Sequence, residues 1–233
     1  MHTGHSHGPG GGPVDHHDHV HGDEAHDPHA PQPDHDDTLD YYRRLEIAVR
    51  ELLIEKGVLT ADEIRRAVEN YDSRTPEGGA RVVARAWVDP QFKALLLSDA
   101  RAACESLGFD MNVFEVELTA VENTPEVHNV VVCTLCSCYP RMLLGMPPAW
   151  YKSRAYRSRL VREPRAVLRE FGTELPESVA VRVHDSTADL RYLVVPMRPA
   201  GSEGMSEEAL AALVTRDSMV GVTVLPPVER RAG

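Results

Sequence analysis

Three cysteines fall within six residues, Cys133-Thr134-Leu135-Cys136-Ser137-Cys138. Side chains this close cannot all bridge to one another without strain, which argues against a disulfide framework. They suit a single metal ion. Cys133 and Cys136 have the C-x-x-C spacing that lets a tight turn aim two sulfurs at one point, and Cys138 adds a third. The chain between Cys136 and Cys138 then passes close enough for the peptide nitrogens of Ser137 and Cys138 to reach the same ion. Three sulfurs and two nitrogens fill five positions, and an octahedral ion keeps a sixth open for substrate. Soft thiolates select late or redox-active metals, and geometry indicates which one. A structural zinc site needs a fourth soft ligand. The remaining cysteine, Cys104, lies on an expected helix and reads as a buried small hydrophobe. A redox C-x-x-C would leave Cys138 unexplained, and no thioredoxin-like βαβ pattern precedes it. Spacing alone leaves the catalytic, zinc and redox readings open.

A claw of this kind must hang from rigid elements. Residues 127–133 are a β-branched run leading straight into it. Residues 113–122 alternate apolar and polar side chains as a half-buried strand does. Residues 179–184 and 190–195 read as paired strands, and 219–224 as a last strand. Residues 139–153 read as a proline-rich loop, followed by a helix over 163–171. Ser206 caps a short helix to residue 214. Ahead of the strands, residues 39–56 carry apolar side chains at helical spacing, with Gly57 as the stop. Thr60-Ala61-Asp62-Glu63 is a capping box that opens a second helix to about residue 71. A short helix over 80–87 and a longer one from Pro90 to residue 107 follow. Helix and strand blocks are segregated, so the expected class is α+β. The division expected is a tail over 1–37, a helical arm over 38–110 and an α+β metal-binding domain over 111–233.

The tail holds ten of the twelve histidines, spaced by glycine, proline and aspartate. Such a composition cannot bury a core, so disorder is expected. Clustered imidazoles could make it a divalent-metal reservoir; a solvated tail is the plainer alternative. The chain has 233 residues and a formal net charge of −11, which argues against nucleic acid as a partner. No apolar run is long enough for a membrane, and no secretory signal is visible. With its clustered cysteines the chain reads as a cytoplasmic protein.

The stretch Val130-Val131-Val132-Cys133-Thr134-Leu135-Cys136-Ser137-Cys138-Tyr139-Pro140 resembles the metal-binding segment of nitrile hydratase α subunits. The resemblance continues through Gly145-Met146-Pro147-Pro148-Ala149-Trp150-Tyr151-Lys152, Val161-Arg162-Glu163-Pro164-Arg165 and Arg191-Tyr192-Leu193-Val194-Val195-Pro196. It ends at Leu213-Val214-Thr215-Arg216-Asp217-Ser218-Met219-Val220-Gly221-Val222. It implies a layered α+β core, a helical arm that wraps a partner, and a trivalent metal that polarises a nitrile. It implies Cys133 as axial thiolate, Cys136 and Cys138 oxidised to sulfinate and sulfenate, and amide nitrogens of Ser137 and Cys138 completing the plane. Thr134 and Tyr139 are similar to the cobalt pattern, so one Co(III) per chain is implied. Cys138 and Ser137 belong to the implied catalytic set, with Arg162 and Glu163 supporting the site from behind its ligands. The implied partners are a nitrile hydratase β subunit, as one or two further chains, a small-molecule nitrile, and a metallochaperone or activator.

Other residues weigh less. His128 is near the claw in sequence but too remote along an extended strand, so a satisfied strand histidine is expected, and His184 has less claim still. Trp150 and Tyr151 could line a substrate pocket or simply pack. Many cobalt-type relatives carry tryptophan where this chain has Arg141. A cation there makes the pocket polar and favours an unusual substrate, such as the nucleoside nitrile toyocamycin handled by one branch of the family. Two alternatives remain: the metal-bearing subunit of a thiocyanate hydrolase, which shares the claw, or a cobalt storage or delivery protein.

Overall fold

The computed structural model describes residues 41–111 and 116–229. The histidine-rich stretch over 1–37 lies outside the described residues. Two helices come first, α1 (Tyr41–Glu55) and α2 (Ala61–Asp72). Thr60 and Glu63 form the expected capping box, each satisfying the other's backbone N–H. Neither helix buries a residue, and Tyr42, Leu45, Val49, Leu52 and Val68 stay exposed. Apolar side chains at helical spacing thus form a stripe that no described residue covers.

Helix α3 (Pro76–Val88) behaves differently, burying Val82, Val83, Ala84 and Ala86. It starts earlier than expected because Pro76 supplies a first turn that needs no N–H. The single helix expected from Pro90 is two, α4 (Pro90–Ser98) and α5 (Ala100–Ser106). Asp99 leaves helical geometry and caps the second one, its carboxylate accepting from the Ala102 N–H at 2.9 Å. A local side-chain acceptor outcompetes continuation of the helix.

The strands are β1 (Glu117–Glu122), β2 (Val127–Val132), β3 (Ala180–Asp185) and β4 (Leu190–Val195). Consecutive strands β3 and β4 do not pair with each other, contrary to expectation. β1 pairs β4 and β2 pairs β3, both in parallel, giving two small sheets. The reason is visible at the connection. The Ser186 N–H extends the β2 ladder by donating to Val132 O at 2.7 Å. Three residues later, Asp189 O receives the Glu117 N–H at 2.7 Å, starting the other ladder. The connection carries the chain from one sheet to the other. Short helices complete the chain: α6 (Arg141–Leu144), α7 (Ala149–Lys152), α8 (Arg154–Arg159), α9 (Pro164–Glu170), α10 (Glu207–Ala211) and α11 (Arg216–Val220). So residues 139–153 are not a plain loop. Residues 219–224 are not a strand either, because Thr215 and Ser218 form a capping box and Gly221 ends the helix in the left-handed region. The whole is an α+β arrangement, and no helix among the described residues is long and apolar enough to cross a membrane.

A buried polar chain ties the two sheets together. Asn129 on β2 donates its side-chain amide to Glu122 O at 2.7 Å and to Asn123 Oδ1. Asn123 Nδ2 lies 3.3 Å from His128 Nδ1, and His128 Nε2 lies 2.7 Å from Gly221 O. A carbonyl can only accept, so Nε2 carries the proton and Nδ1 accepts. His184 Nε2 meets Asn129 Oδ1 at 2.9 Å. His128 is therefore the satisfied strand histidine expected, and His184 joins the same network.

Two predictions follow from this network. At Gly221, φ is +89° and an added Cβ would lie 2.0 Å from Asn129 O. Gly221→Ala should cost about 3 kcal/mol or more in chemical denaturation. Burial lowers the basicity of both His128 and His184. The unfolded chain then binds the extra protons. Stability is complete above about pH 6.5 and is lost as pH falls toward the depressed folded values, by up to about 1.4 kcal/mol per pH unit for the buried His128 and by less for the half-exposed His184. Denaturation midpoints measured between pH 8 and 5 should show the fall, and His128→Gln should make it shallower.

Candidate metal centre

Strand β2 delivers the claw. His128 to Val132 are buried, and Cys133 continues the run with no exposed surface. The chain then turns outward. Thr134, Leu135 and Cys136 are exposed, and Cys138 is buried again. The turn is closed by the Cys136 N–H donating to Cys133 Sγ at 3.2 Å. Cys133 and Cys136 sulfurs are 3.6 Å apart, and those of Cys136 and Cys138 are 3.3 Å apart. These are too long for disulfide bonds, and all three atoms lie within 4.8 Å of one another. The structure therefore brings Cys133, Cys136 and Cys138 together as one donor set, with Ser137 in the turn between the last two.

Backbone clamps hold the turn. Asp185, at the end of β3, sits opposite Val132 in the parallel register. Its carboxylate accepts from the Thr134 N–H at 2.9 Å and from the Thr134 hydroxyl at 2.6 Å. Tyr151 is fully buried, and its hydroxyl donates to Cys138 O at 2.8 Å. Tyr156 donates to Val131 O at 2.6 Å. Trp150 packs edge-on against Tyr151, Tyr156 and Phe171, with centroids 5.9, 5.0 and 4.8 Å away. So Trp150 and Tyr151 serve the packing behind the claw rather than a pocket wall.

The sulfurs differ in acidity. Burial works to raise the Cys136 thiol, but contacts from Cys138, Ser137 and Cys133 outweigh it and hold it below the usual thiol value. The Cys138 thiol is pushed up to about 12, by burial first and then by the Cys136 and Cys133 sulfurs, with the Arg191 charge pulling the other way. Adjacent sulfurs cannot all carry negative charge without a cation. Cys104 is fully buried in the core and its thiol is likewise pushed up to about 12, by burial. It takes no part in the site.

A cleft of about 260 Å³ opens over the claw, lined by Cys136, Ser137, Cys138, Arg141, Met142 and Arg191 among others. Arg162 and Glu163 do not line it. Arg162 donates to Ser158 O at 3.0 Å, Glu163 pairs with Arg159 at 2.6 Å, and both side chains are exposed. The support expected from them finds no contact with the claw in this chain, because the turn before α9 points them outward. Two supports went unseen in the sequence. Asp185 is 51 residues from Thr134, and only the strand register brings it near. Arg191 sits within a stretch that carries the resemblance, but nothing local marks it as facing a cleft.

A sequence model of the nitrile hydratase alpha chain matches residues 40–223. The chain belongs to that family. It is 52% identical over 178 residues to the low-molecular-weight cobalt-containing nitrile hydratase subunit alpha of Rhodococcus rhodochrous, covering 76% of this chain and 86% of the relative. It is 53% identical to the cobalt-containing nitrile hydratase subunit alpha of Pseudonocardia thermophila, covering 75% and 86%. It is also 45% identical to thiocyanate hydrolase subunit gamma of Thiobacillus thioparus, covering 78% and 79%. Among solved structures, a chain of a double mutant of the Fe-type nitrile hydratase from Comamonas testosteroni Ni1 superposes with TM-score 0.74 at 43% identity, covering 82% of this chain and 95% of that one. A recombinant thiocyanate hydrolase with partially modified cobalt centres gives 0.75 at 40%, covering 84% and 97%.

Removing the Asp185 clamp tests the site directly. Asp185→Ala should cost only about 1 kcal/mol of stability, because Thr134 is exposed to water. It should cost about tenfold or more in metal affinity, read by chelator competition, since it frees the turn that aims the ligands.

Proposed function

We propose that this chain is the cobalt-bearing α subunit of a nitrile hydratase, adding water across a nitrile to give the amide. The observation that carries the reading is the convergence of three sulfurs at the floor of an open cleft. The donor set fits the metal that the relatives' names declare. Three soft sulfurs sit together with no fourth cysteine or histidine in the group among the described residues, so a closed zinc tetrahedron lacks its last ligand. Cys133, Cys136 and Cys138 would hold the ion by sulfur, and Ser137 and Cys138 by their backbone nitrogens. When bound, trivalent cobalt supplies Lewis acidity toward the nitrile carbon.

The chain's own residues do the rest. The family resemblance implies Cys136 as sulfinate and Cys138 as sulfenate; Cys136 is exposed and Cys138 lines the cleft, so dioxygen or a peroxide, which supplies the added oxygens, can reach both. A sulfenate oxygen on Cys138 would act as the base that takes a proton from water, or as the nucleophile toward the nitrile carbon. Keeping such a group needs charge-assisted hydrogen bonds. In this chain Arg191 offers a positive charge near Cys138; a β partner, as one or two chains, supplies the remainder. Leu135, 79% exposed at the tip of the claw, and the uncovered stripes of α1 and α2 are apolar surfaces for that partner to bury. Arg162 and Glu163 serve the site from the same assembled interface. A metallochaperone or activator loads the ion.

Arg141 sets the finer substrate choice. A guanidinium on the cleft wall favours a polar nitrile, and a bulky nucleoside nitrile such as toyocamycin fits that wall better than a small aliphatic one. The same charge supports a second reading, thiocyanate hydrolysis, in which the attacked group is an anion. The two differ in product: an amide, or carbonyl sulfide with ammonia.

The test is the chain co-expressed with its partner. It should convert nitriles to amides, with toyocamycin turned over faster than acrylonitrile. Mass spectrometry of the claw peptide should show two added oxygens on Cys136 and one on Cys138. Three plain thiols in a metal-loaded complex that is inactive on every nitrile would favour a storage protein instead.

A further inference from the structure

We propose that Tyr71, on the otherwise uncovered helix α2, is a positioning residue for Arg141, so that the arm helps decide which substrates the cleft accepts. The inference rests on the nitrile-hydrating reading of the cleft and adds the device that aims its polar wall.

Arg141 is the first residue of α6 and lines the cleft. Its side chain is long, and a free arginine at a cleft mouth gains rotamer freedom by swinging into water. Tyr71 prevents this in two ways. Its hydroxyl accepts a hydrogen bond from Arg141 Nη1. The Arg141 guanidinium carbon also lies 5.8 Å from the centre of the Tyr71 ring, within range of a cation–π contact. The contact spans 70 residues and joins the arm to the cleft wall.

The same end of α2 also holds the other end of α6. Gly145 closes that helix with φ +67°, and a Cβ there would lie 2.2 Å from Arg74 O. The chain just after Tyr71 therefore packs backbone to backbone against the end of α6. Held at Arg141 by the phenol and at Gly145 by a carbonyl, the short helix cannot shift without moving the arm. Tyr71 further lines an apolar groove of about 600 Å³ on α2, with Leu59, Ile64, Ala67 and Val68. Whatever covers that groove bears on the ring that aims Arg141. The substrates affected are nitriles carrying a negative charge or strong acceptor near the triple bond, because a guanidinium fork recognises those groups directionally. Small nitriles without such a group, acrylonitrile among them, make no such demand.

The experiment uses the full complex with Tyr71→Phe, which keeps the ring and removes the acceptor. Cyanoacetate and acrylonitrile are the charged and neutral probes. Tyr71→Phe should raise KM for cyanoacetate about three- to tenfold, the effect of one lost hydrogen bond, while its kcat moves less than twofold. KM for acrylonitrile should move less than twofold. In Arg141→Gln the cyanoacetate effect should be as large or larger, and adding Tyr71→Phe to it should change nothing further. A second readout does not need turnover. In the full-length chain, phenylglyoxal should modify Arg141 several-fold faster in Tyr71→Phe than in the parent, read by peptide mass spectrometry. Equal loss on both nitriles, or unchanged KM with unchanged Arg141 modification, would overturn the proposal. If the parent complex hydrates no nitrile, the functional reading fails, and the phenylglyoxal rates alone decide whether Tyr71 holds Arg141.

Discussion

Sulfurs held within 4.8 Å of one another repel as soon as more than one loses its proton. At that separation the repulsion between two thiolates is large in a partly buried site, and only shared protons or a cation relieve it. The thiols are set apart in acidity: contacts from its neighbours hold Cys136 low, while burial first and the adjacent sulfurs second push Cys138 up to about 12. The rest of the molecule can be understood as what keeps this unfavourable cluster assembled. Strand β2 fixes the entry to the turn, Asp185 pins Thr134, and Tyr151 pins the carbonyl of Cys138. Each clamp grips backbone or a neighbour of a ligand and leaves the sulfurs free to bind.

Those clamps depend in turn on two small parallel sheets staying in register. Among the described residues neither sheet has more than two strands, and isolated pairs of strands are marginal in water. Here the side-chain chain from His184 through Asn129, Asn123 and His128 to Gly221 O joins them across their interior. Every group in it has one available role, donor or acceptor, so the network specifies a single arrangement. The aromatic group of Trp150, Tyr151, Tyr156 and Phe171 packs behind the claw. A polar lock and an apolar one thus both support the claw.

Much of this is legible in the chain itself, and the limits have physical causes. The claw is contiguous, so spacing alone marks Cys133, Cys136 and Cys138 as one cluster, and the family resemblance around them chooses among the catalytic, zinc and redox readings. Caps are local too, which is why the box at Thr60 and Glu63 reads correctly. Failures cluster where the deciding contact is distant or where two local signals compete. Strands β3 and β4 look like a hairpin until the ladders of β1 and β2 claim them. At residues 219–224 a β-branched pattern yields to the capping box at Thr215 and the left-handed Gly221. Asp185 and Tyr71 meet their partners across 51 and 70 residues, and no periodicity marks them. Arg162 and Glu163 show the reverse case. Their motif is recognisable, yet within this chain their exposed side chains bond to α8, so the support proposed for them comes only with the partner in place.

On this reading the three-cysteine turn, and no other donor set, holds a trivalent cobalt ion and leaves one position free for substrate. X-ray absorption at the cobalt edge of the co-purified complex reads that coordination. One six-coordinate trivalent cobalt per chain is expected, with sulfur and nitrogen neighbours from the claw and one light-atom site that exchanges with solvent. Zinc in a closed four-coordinate sulfur site would contradict it, as would cobalt found in an imidazole environment with the claw thiols free.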